Sequence, residues 1–313
     1  LALVTGGTGF LGANLVRALC RAGRPVRVLS RGVSPAAPEA GVELVRADIG
    51  DRAAVRQALQ GVGTLFHFAS TTNPATAHGH AIYDIESNLA ATVGLLDAAA
   101  TEGIRRVVYA SSGGTVYGRI STAPAAETHS TDPICSHGIV KLAVEKYLYL
   151  FRQQAGTPYT ILRYANPYGP GQSMHRAQGA VAVLAGRILQ RQPIEIFGDG
   201  SVVRDFIYID DVIDATLCAA EAGEGADAIF NIGSGVGVSI RELLAALEHA
   251  IGEKADVRYL PARSFDVPVS TLDSSKAARL LGWRSRTALQ DGLVPTIAWL
   301  RSELAAAVPS LQC

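Results

Sequence analysis

The sequence has no C-x-x-C pair and no histidine cluster beside any of its four cysteines, Cys20, Cys135, Cys218 and Cys313. Scattered in this way, they argue against a disulfide framework and against a structural metal, so no metal site is expected. There is no long Lys/Arg run, and 28 basic residues balance 28 acidic ones at a pI near 7.2. Nothing electrostatic therefore favours nucleic acid or an anionic membrane, although local groups can still hold a small anion. No apolar run approaches the roughly 20 residues that a membrane span needs. The opening LALVTGG reads as a buried strand with no basic region or cleavage site before it. A cytoplasmic protein is expected, with a few leading residues trimmed because the chain opens on Leu1 rather than Met. No repeat of roughly 20 to 50 residues and no low-complexity linker interrupts it.

What is present is enough apolar material, 48% of 313 residues, to bury a large core as one domain or two closely packed ones. Strand-like runs recur as LALVT, PVRVLS, VELVRAD, GTLFHFAS, RRVVYASS and YTILRYAN, separated by helical patterns such as FLGANLVRALCRAG, RAAVRQALQG and SNLAATVGLLDAAATEG. Strands apolar on both faces and joined through helices predict an α/β fold with a Rossmann-type, doubly wound parallel sheet.

In VTGGTGFLG, Gly7, Gly9 and Gly12 satisfy G-x-G-x-x-G, and Gly6, Gly9 and Gly12 satisfy G-x-x-G-x-x-G. The motif follows a strand and opens a helix at Phe10 and Leu11, so its glycines allow a tight turn and let a pyrophosphate approach free helix N–H groups. A dinucleotide is the expected ligand. About 20 residues on, where an Asp or Glu binds the ribose 2′-hydroxyl of NAD, the strand ends VLSRG with Ser30 and Arg31. Arg31 either accommodates the 2′-phosphate of NADP or stacks on adenine or points to solvent. Further along, DPICSHGIVKLAVEKY opens an amphipathic helix that puts His137 and Lys141 at i and i+4 on one face. Side by side, they suggest a proton-transfer pair.

Taken together, TGGTGFLG, ADIGD, HFAS, SSGGTVYG, the helix carrying Lys141, LRYANPYGPGQ and GDGSVVRDFIYIDDV resemble the extended short-chain dehydrogenase/reductase superfamily. Within it the chain is similar to the nucleotide-sugar epimerase/dehydratase branch typified by UDP-galactose 4-epimerase, and the likeness runs on to RSFDVPVSTLDSSKAARLLGW. That family uses a Tyr-x-x-x-Lys pair. The tyrosine exchanges a proton with a sugar hydroxyl, and the lysine holds the nicotinamide ribose and lowers the tyrosine pKa. The resemblance implies that His137 stands at the tyrosine position, with Lys141 in place. Three readings follow: histidine is a natural base, it is an introduced substitution, or the protein binds its ligands with this step lost or weakened.

The resemblance also assigns a second hydroxyl to Ser112, with Ser111 as fallback. Relatives that dehydrate sugars carry an Asp-Glu pair where Gly114 and Thr115 stand here, and decarboxylating relatives place a Glu at the second position. Epimerisation needs neither carboxylate and fits best, an NADP(H)-dependent 4-keto-sugar reductase being the alternative. Asn166, Arg204 and the pair Arg263 and Asp266 match residues that meet the substrate diphosphate and ribose. Ser270 matches a tyrosine that closes the sugar pocket in strict hexose epimerases, so room for an N-acetyl group is expected. A UDP-linked sugar is the default substrate. Around the cofactor, NAD by family habit and NADP by the Ser30-Arg31 pair, Asp48 and Ile49 match adenine neighbours. Ala69 lies near the pyrophosphate and Asn88 on a helix backing the site. The family implies a dinucleotide domain of residues 1–165 plus about 204–235 and a smaller C-terminal α/β substrate domain of about 166–203 plus 236–313. HAIYDIESNLAATVGLLDAAA and HGIVKLAVEKYLYLFRQQ resemble two long helices of a homodimer interface.

Overall fold

Alternate residues of the apolar runs face opposite ways, and the fold uses both faces. A computed structural model describes residues 1–32, 41–175, 178–222, 228–263 and 266–307. Its strands are β1 (Ala2–Thr5), β2 (Val26–Ser30), β3 (Val42–Arg46), β4 (Thr64–His67), β5 (Arg106–Ser112), β6 (Tyr159–Tyr164), β7 (Asn166–Tyr168), β8 (Ile194–Phe197), β9 (Val203–Tyr208), β10 (Ala228–Ile232), β11 (Gly237–Ser239), β12 (Val257–Leu260) and β13 (Val269–Ser270). Among its helices are α1 (Phe10–Arg21), α2 (Arg52–Leu59), α3 (Pro74–Ala77), α4 (Ala81–Asp84), α5 (Ala91–Thr101), α6 (Ser136–Ala155), α7 (Ala180–Leu189) and α8 (Ile209–Glu221).

Seven strands form one parallel sheet in the order β10-β6-β5-β4-β1-β2-β3. Leu3, Leu65, Val107 and Ile161 share one apolar layer with Val55, Leu59, Leu95 and Leu148. Their strand neighbours Val4, Phe66, Val108 and Leu162 share the other with Leu15, Leu19 and Val212. This is the period of two expected of strands covered on both faces. Chain order reverses at β1, which lies between β2 and β4, and a crevice at such a switch point is where a doubly wound sheet binds ligands. The later strands build two smaller sheets: β9 pairs with β7, β11 and β13, while β8 pairs with β12.

Two helices near the crevice differ in kind. Helix α6 runs unbroken to Gly156, whose φ of 71° closes it in the left-handed conformation that glycine adopts without strain. The segment expected as one long helix before it is helical without a gap from Ala81 to Thr101, as α4, a π-helical turn over Ile85–Ala90, and α5. The widened turn has a tertiary setting: Asp84 and Asn88 reach inward to hydrogen-bond partners in the β4–α3 connection and at the start of α6. Wider turns of this kind occur at functional sites.

What fixes α6 against the sheet is a buried ion pair. Arg163 on β6 donates to Glu145 through Nε at 3.0 Å and Nη2 at 2.6 Å, both side chains being almost wholly buried. Ser111 Oγ donates to the same carboxylate at 2.6 Å, and Arg163 Nη1 donates to Tyr117 Oη at 2.9 Å. Tyr117 in turn donates to Asn231 Oδ1 at 2.6 Å. Removing one partner of such a pair strands the other charge in a medium that cannot solvate it. Glu145→Ala is expected to destabilise the protein by about 3–5 kcal/mol. Urea unfolding measures this, and a loss below about 1 kcal/mol would be the value of an exposed pair instead.

Candidate active site

The glycine turn between β1 and α1 leaves no room for side chains. A Cβ on Gly6, at φ +70°, would lie 2.9 Å from the backbone of Ala69, and one on Gly12 would lie 2.3 Å from the Gly6 carbonyl oxygen. Ala69 therefore sits directly against the turn. Gly9 is the N-cap of α1 with no side-chain cap, so the first-turn N–H groups around Phe10, Leu11 and Gly12 face the crevice uncapped. This is a cradle a pyrophosphate fits. Gly7 serves packing instead, since a Cβ there would meet Val28 at 2.7 Å.

At the end of β2, Ser30 is hydrogen-bonded to Thr8 at 2.6 Å, and Arg31 pairs with Asp48 at 3.5 Å, both side chains being more than half exposed or nearly so. Two residues read separately from the sequence thus meet, because β2 and β3 run parallel side by side. Ile49 is half-buried against the core, and Asp48 also accepts the Gly50 N–H. Asn88 lies behind this crevice with its Oδ1 accepting the Thr71 N–H at 2.8 Å.

His137 and Lys141 are both buried in the first two turns of α6. Lys141 Nζ donates to the Ala110 carbonyl at 2.7 Å and lies 4.9 Å above the Tyr109 ring. Burial first, then the Lys141 ammonium, push the His137 imidazole down to about 4, with Asp84 pulling it back. Burial likewise lowers Lys141 to about 8, with Asp84 and Glu145 opposing. At neutral pH the imidazole is an uncharged proton acceptor beside an ammonium that is mostly charged. Below them His67 is held between Thr5 and Thr92 by hydrogen bonds of 2.7 and 2.8 Å, and burial pushes it down to about 3. It is stacked on Tyr109 and serves as a neutral floor.

The loop after β5 closes against this pair. A Cβ on Gly138 would lie 2.7 Å from the Thr115 carbonyl oxygen, and one on Gly114 would come within 3.9 Å of Ser270 Oγ. Ser111 is buried and its hydroxyl goes to Glu145, whereas Ser112, the last residue of β5, is only partly buried. Ser270 stands opposite Arg204 in the β13–β9 register. Arg204 donates to the Val203 and Val267 carbonyls at 2.9 and 2.8 Å, and Asn166 Nδ2 donates to the Asp205 carbonyl at 3.1 Å. Further out, Arg263 pairs with Asp266 at 2.9 Å and stacks over Phe197 at 4.3 Å, lining a cleft of about 300 Å3 with Val202 and Pro268. The glycine cradle, the His137–Lys141 pair and Ser270 thus border the same end of the large sheet, with Arg204 beside Ser270 and Arg263 leading away from it. Three residues here carried no signal in the sequence: Asp84, Ser136 and Thr72, polar groups that meet only through the tertiary hydrogen bonds between them.

A family model described as NAD dependent epimerase/dehydratase family matches residues 2–233. The chain is 33% identical over 314 residues to the UDP-glucose 4-epimerase of Mycolicibacterium smegmatis, covering 96% of this chain and 98% of the relative. It is 30% identical to a dTDP-4-dehydro-6-deoxyglucose reductase of Escherichia coli, covering 96% and 97%. Among solved structures, a UDP-glucose 4-epimerase of Thermotoga maritima with UDP-glucose matches with a TM-score of 0.92 and 34% identity, over 97% of this chain and 99% of that one.

Proposed function

The chain belongs to the NAD-dependent epimerase/dehydratase family, and from that premise we propose that it is a nucleotide-sugar 4-epimerase acting on a UDP-hexose or UDP-N-acetylhexosamine. The observation that carries the reading is the buried His137–Lys141 pair with, among the described residues, no free carboxylate beside it. Gly114 and Thr115 bring none, and the two nearby acids are engaged: Glu145 with Arg163 and Ser111, Asp84 with Thr72, Asn88 and Ser136. Dehydration needs a proton donor for a leaving hydroxyl and a base at the neighbouring carbon, which this arrangement does not offer. Reversible oxidation at one carbon needs a single acid/base.

In this reading the cradle of Gly6, Gly9 and Gly12 receives the pyrophosphate of NAD while Gly7 packs the turn against Val28, and Asp48, Ile49 and Arg31 border the adenosine. When bound, NAD supplies the acceptor and later the donor of a hydride. His137, at the acid/base position, takes the proton of the sugar hydroxyl as the hydride leaves the same carbon, and returns it after the hydride has come back to the opposite face. Lys141 would hold the nicotinamide ribose, and burial together with the Lys141 charge keeps the imidazole neutral and ready to accept. Ser112 is the second hydroxyl on the sugar oxygen, since Ser111 is held by Glu145. Asn166, Arg204 and Arg263 with Asp266 hold the nucleoside diphosphate, the guanidinium groups supplying a rigid fork of donors. The Arg31–Asp48 pair favours NAD over NADP because the carboxylate offsets the charge a 2′-phosphate would seek. The similarity to a dTDP-4-dehydro-6-deoxyglucose reductase supports a second reading, a reductase that releases oxidised cofactor each turnover.

The surface supports a homodimer. Ile82, Ile85, Ile139, Tyr149 and Leu150 are exposed on α4, the π-turn and α6, which pack together and form one apolar face. No described helix is long and apolar enough to cross a membrane.

Incubation with UDP-glucose and with UDP-N-acetylglucosamine, with and without added NAD or NADP, is expected to invert C4 without net cofactor consumption, followed by NMR of the sugar. Consumption of one reduced cofactor per turnover would establish the reductase instead. The pH profile of kcat/KM is expected to hold between about 4, where His137 takes a proton and ceases to be a base, and about 8, where Lys141 loses one. Ser270→Tyr fills the space beside Gly114 and is expected to lower turnover of UDP-N-acetylglucosamine relative to UDP-glucose about tenfold or more. Unchanged relative rates would remove Ser270 from the sugar pocket.

A further inference from the structure

A fully buried carboxylate outside the proposed pair has no part in that chemistry. Asp84, the last residue of α4, has no solvent exposure. Its Oδ1 accepts from Thr72 Oγ1 at 2.7 Å and Asn88 Nδ2 at 2.9 Å, and its Oδ2 accepts from Ser136 Oγ at 2.7 Å. All three donors are neutral. An ionised carboxylate in such a place is costly unless a cation nearby compensates it. Glu145, the other carboxylate near Lys141, is already matched by the bidentate guanidinium of Arg163. That leaves the charge of Lys141 and the charge of Asp84 to balance one another across the site.

We propose that Asp84 is the counter-charge and positioning residue of the His137–Lys141 pair, holding the first turn of α6 through Ser136 and offsetting the Lys141 ammonium. The inference rests on the reading of that pair as the proton-transfer machinery. The geometry carries it, because the hydroxyl that ties α4 to α6 at this point belongs to Ser136, the residue directly before His137. Asn88 completes the link, bonding Asp84 with one amide atom and the Thr71 backbone with the other, so the π-turn, the crevice loop and the catalytic helix share one carboxylate. The titratable groups facing this carboxylate are Tyr109 from β5, Cys135 before α6, and His137 and Lys141 on it. Glu145 acts on Tyr109 and Lys141 from the next turn, and Lys141 acts on His67 from above. Asp84 favours the charged form of both His137 and Lys141, against burial, which disfavours it in each.

The test is an NMR titration of the histidine rings in the full chain, with the seven histidines assigned by substitution. Asp84→Asn keeps the shape and removes the charge. The His137 midpoint is expected to fall by roughly half a pH unit or more. An unmoved His137 midpoint overturns the proposal. Ser136→Ala, a milder change that leaves the carboxylate charged, serves if Asp84→Asn does not fold. It is expected to shift or split the His137 ring signals and to lower kcat several-fold with KM unchanged; an unaltered His137 spectrum overturns the positioning role. The ring signals require no turnover, so an inactive wild-type protein would count against the epimerase reading and leave the Asp84 result to stand or fall separately.

Discussion

The bidentate contact between Glu145 and Arg163 is the constraint on which the site depends. Helix α6 carries both members of the proposed catalytic pair, and its position relative to β5 and β6 is set by a charge that must find its partner in a region without water. Apolar packing of Val144 and Leu148 would allow α6 to slide or turn by small amounts at little cost, because dispersion is not directional. A carboxylate shared between one guanidinium and the Ser111 hydroxyl does not allow this. Glu145 lies one helical turn beyond Lys141, so fixing it fixes the ammonium against the Ala110 carbonyl and the imidazole one turn earlier.

Burial then decides the chemistry of the pair. An imidazole in water is protonated about half the time near pH 6.5, and an enzyme using it as a base at neutral pH gains from holding it neutral. Here desolvation and the nearby ammonium act in the same direction on His137, while the Asp84 carboxylate limits how far they carry it. The same burial would discharge Lys141 were it not opposed by the two carboxylates. The site therefore sets a neutral imidazole and an ammonium beside two acids, neither of which is available to the substrate. That arrangement separates a single-carbon oxidation from an elimination.

Much of the fold was legible in the sequence because its signals are local. Six apolar runs became β1 to β6, and the glycine motif fell between β1 and α1 as its spacing requires. His137 and Lys141 were legible as i and i+4 for the same reason. What the sequence could not carry were relations set by pairing at a distance. Arg31 and Asp48 were read as separate cofactor contacts, yet they meet because β2 and β3 are neighbours. Ser270 and Arg204 lie side by side only through the register of β13 on β9. The segment HAIYDIESNLAATVGLLDAAA reads as one long apolar helix, and its periodicity cannot distinguish an α-turn from a π-turn. The inward course of Asp84 is fixed by Ser136 and Thr72, residues far from it in the chain.

The central claim is that an imidazole performs the proton transfer. It is tested most directly by kcat of His137→Ala against the unaltered protein on the UDP-sugar that it turns over, with the fold checked by circular dichroism. Loss of a general acid/base predicts a fall of about 10²–10⁴ with KM little changed. Turnover by His137→Ala within about threefold of the unaltered protein, far short of such a loss, would contradict the assignment and move the acid/base role to another group.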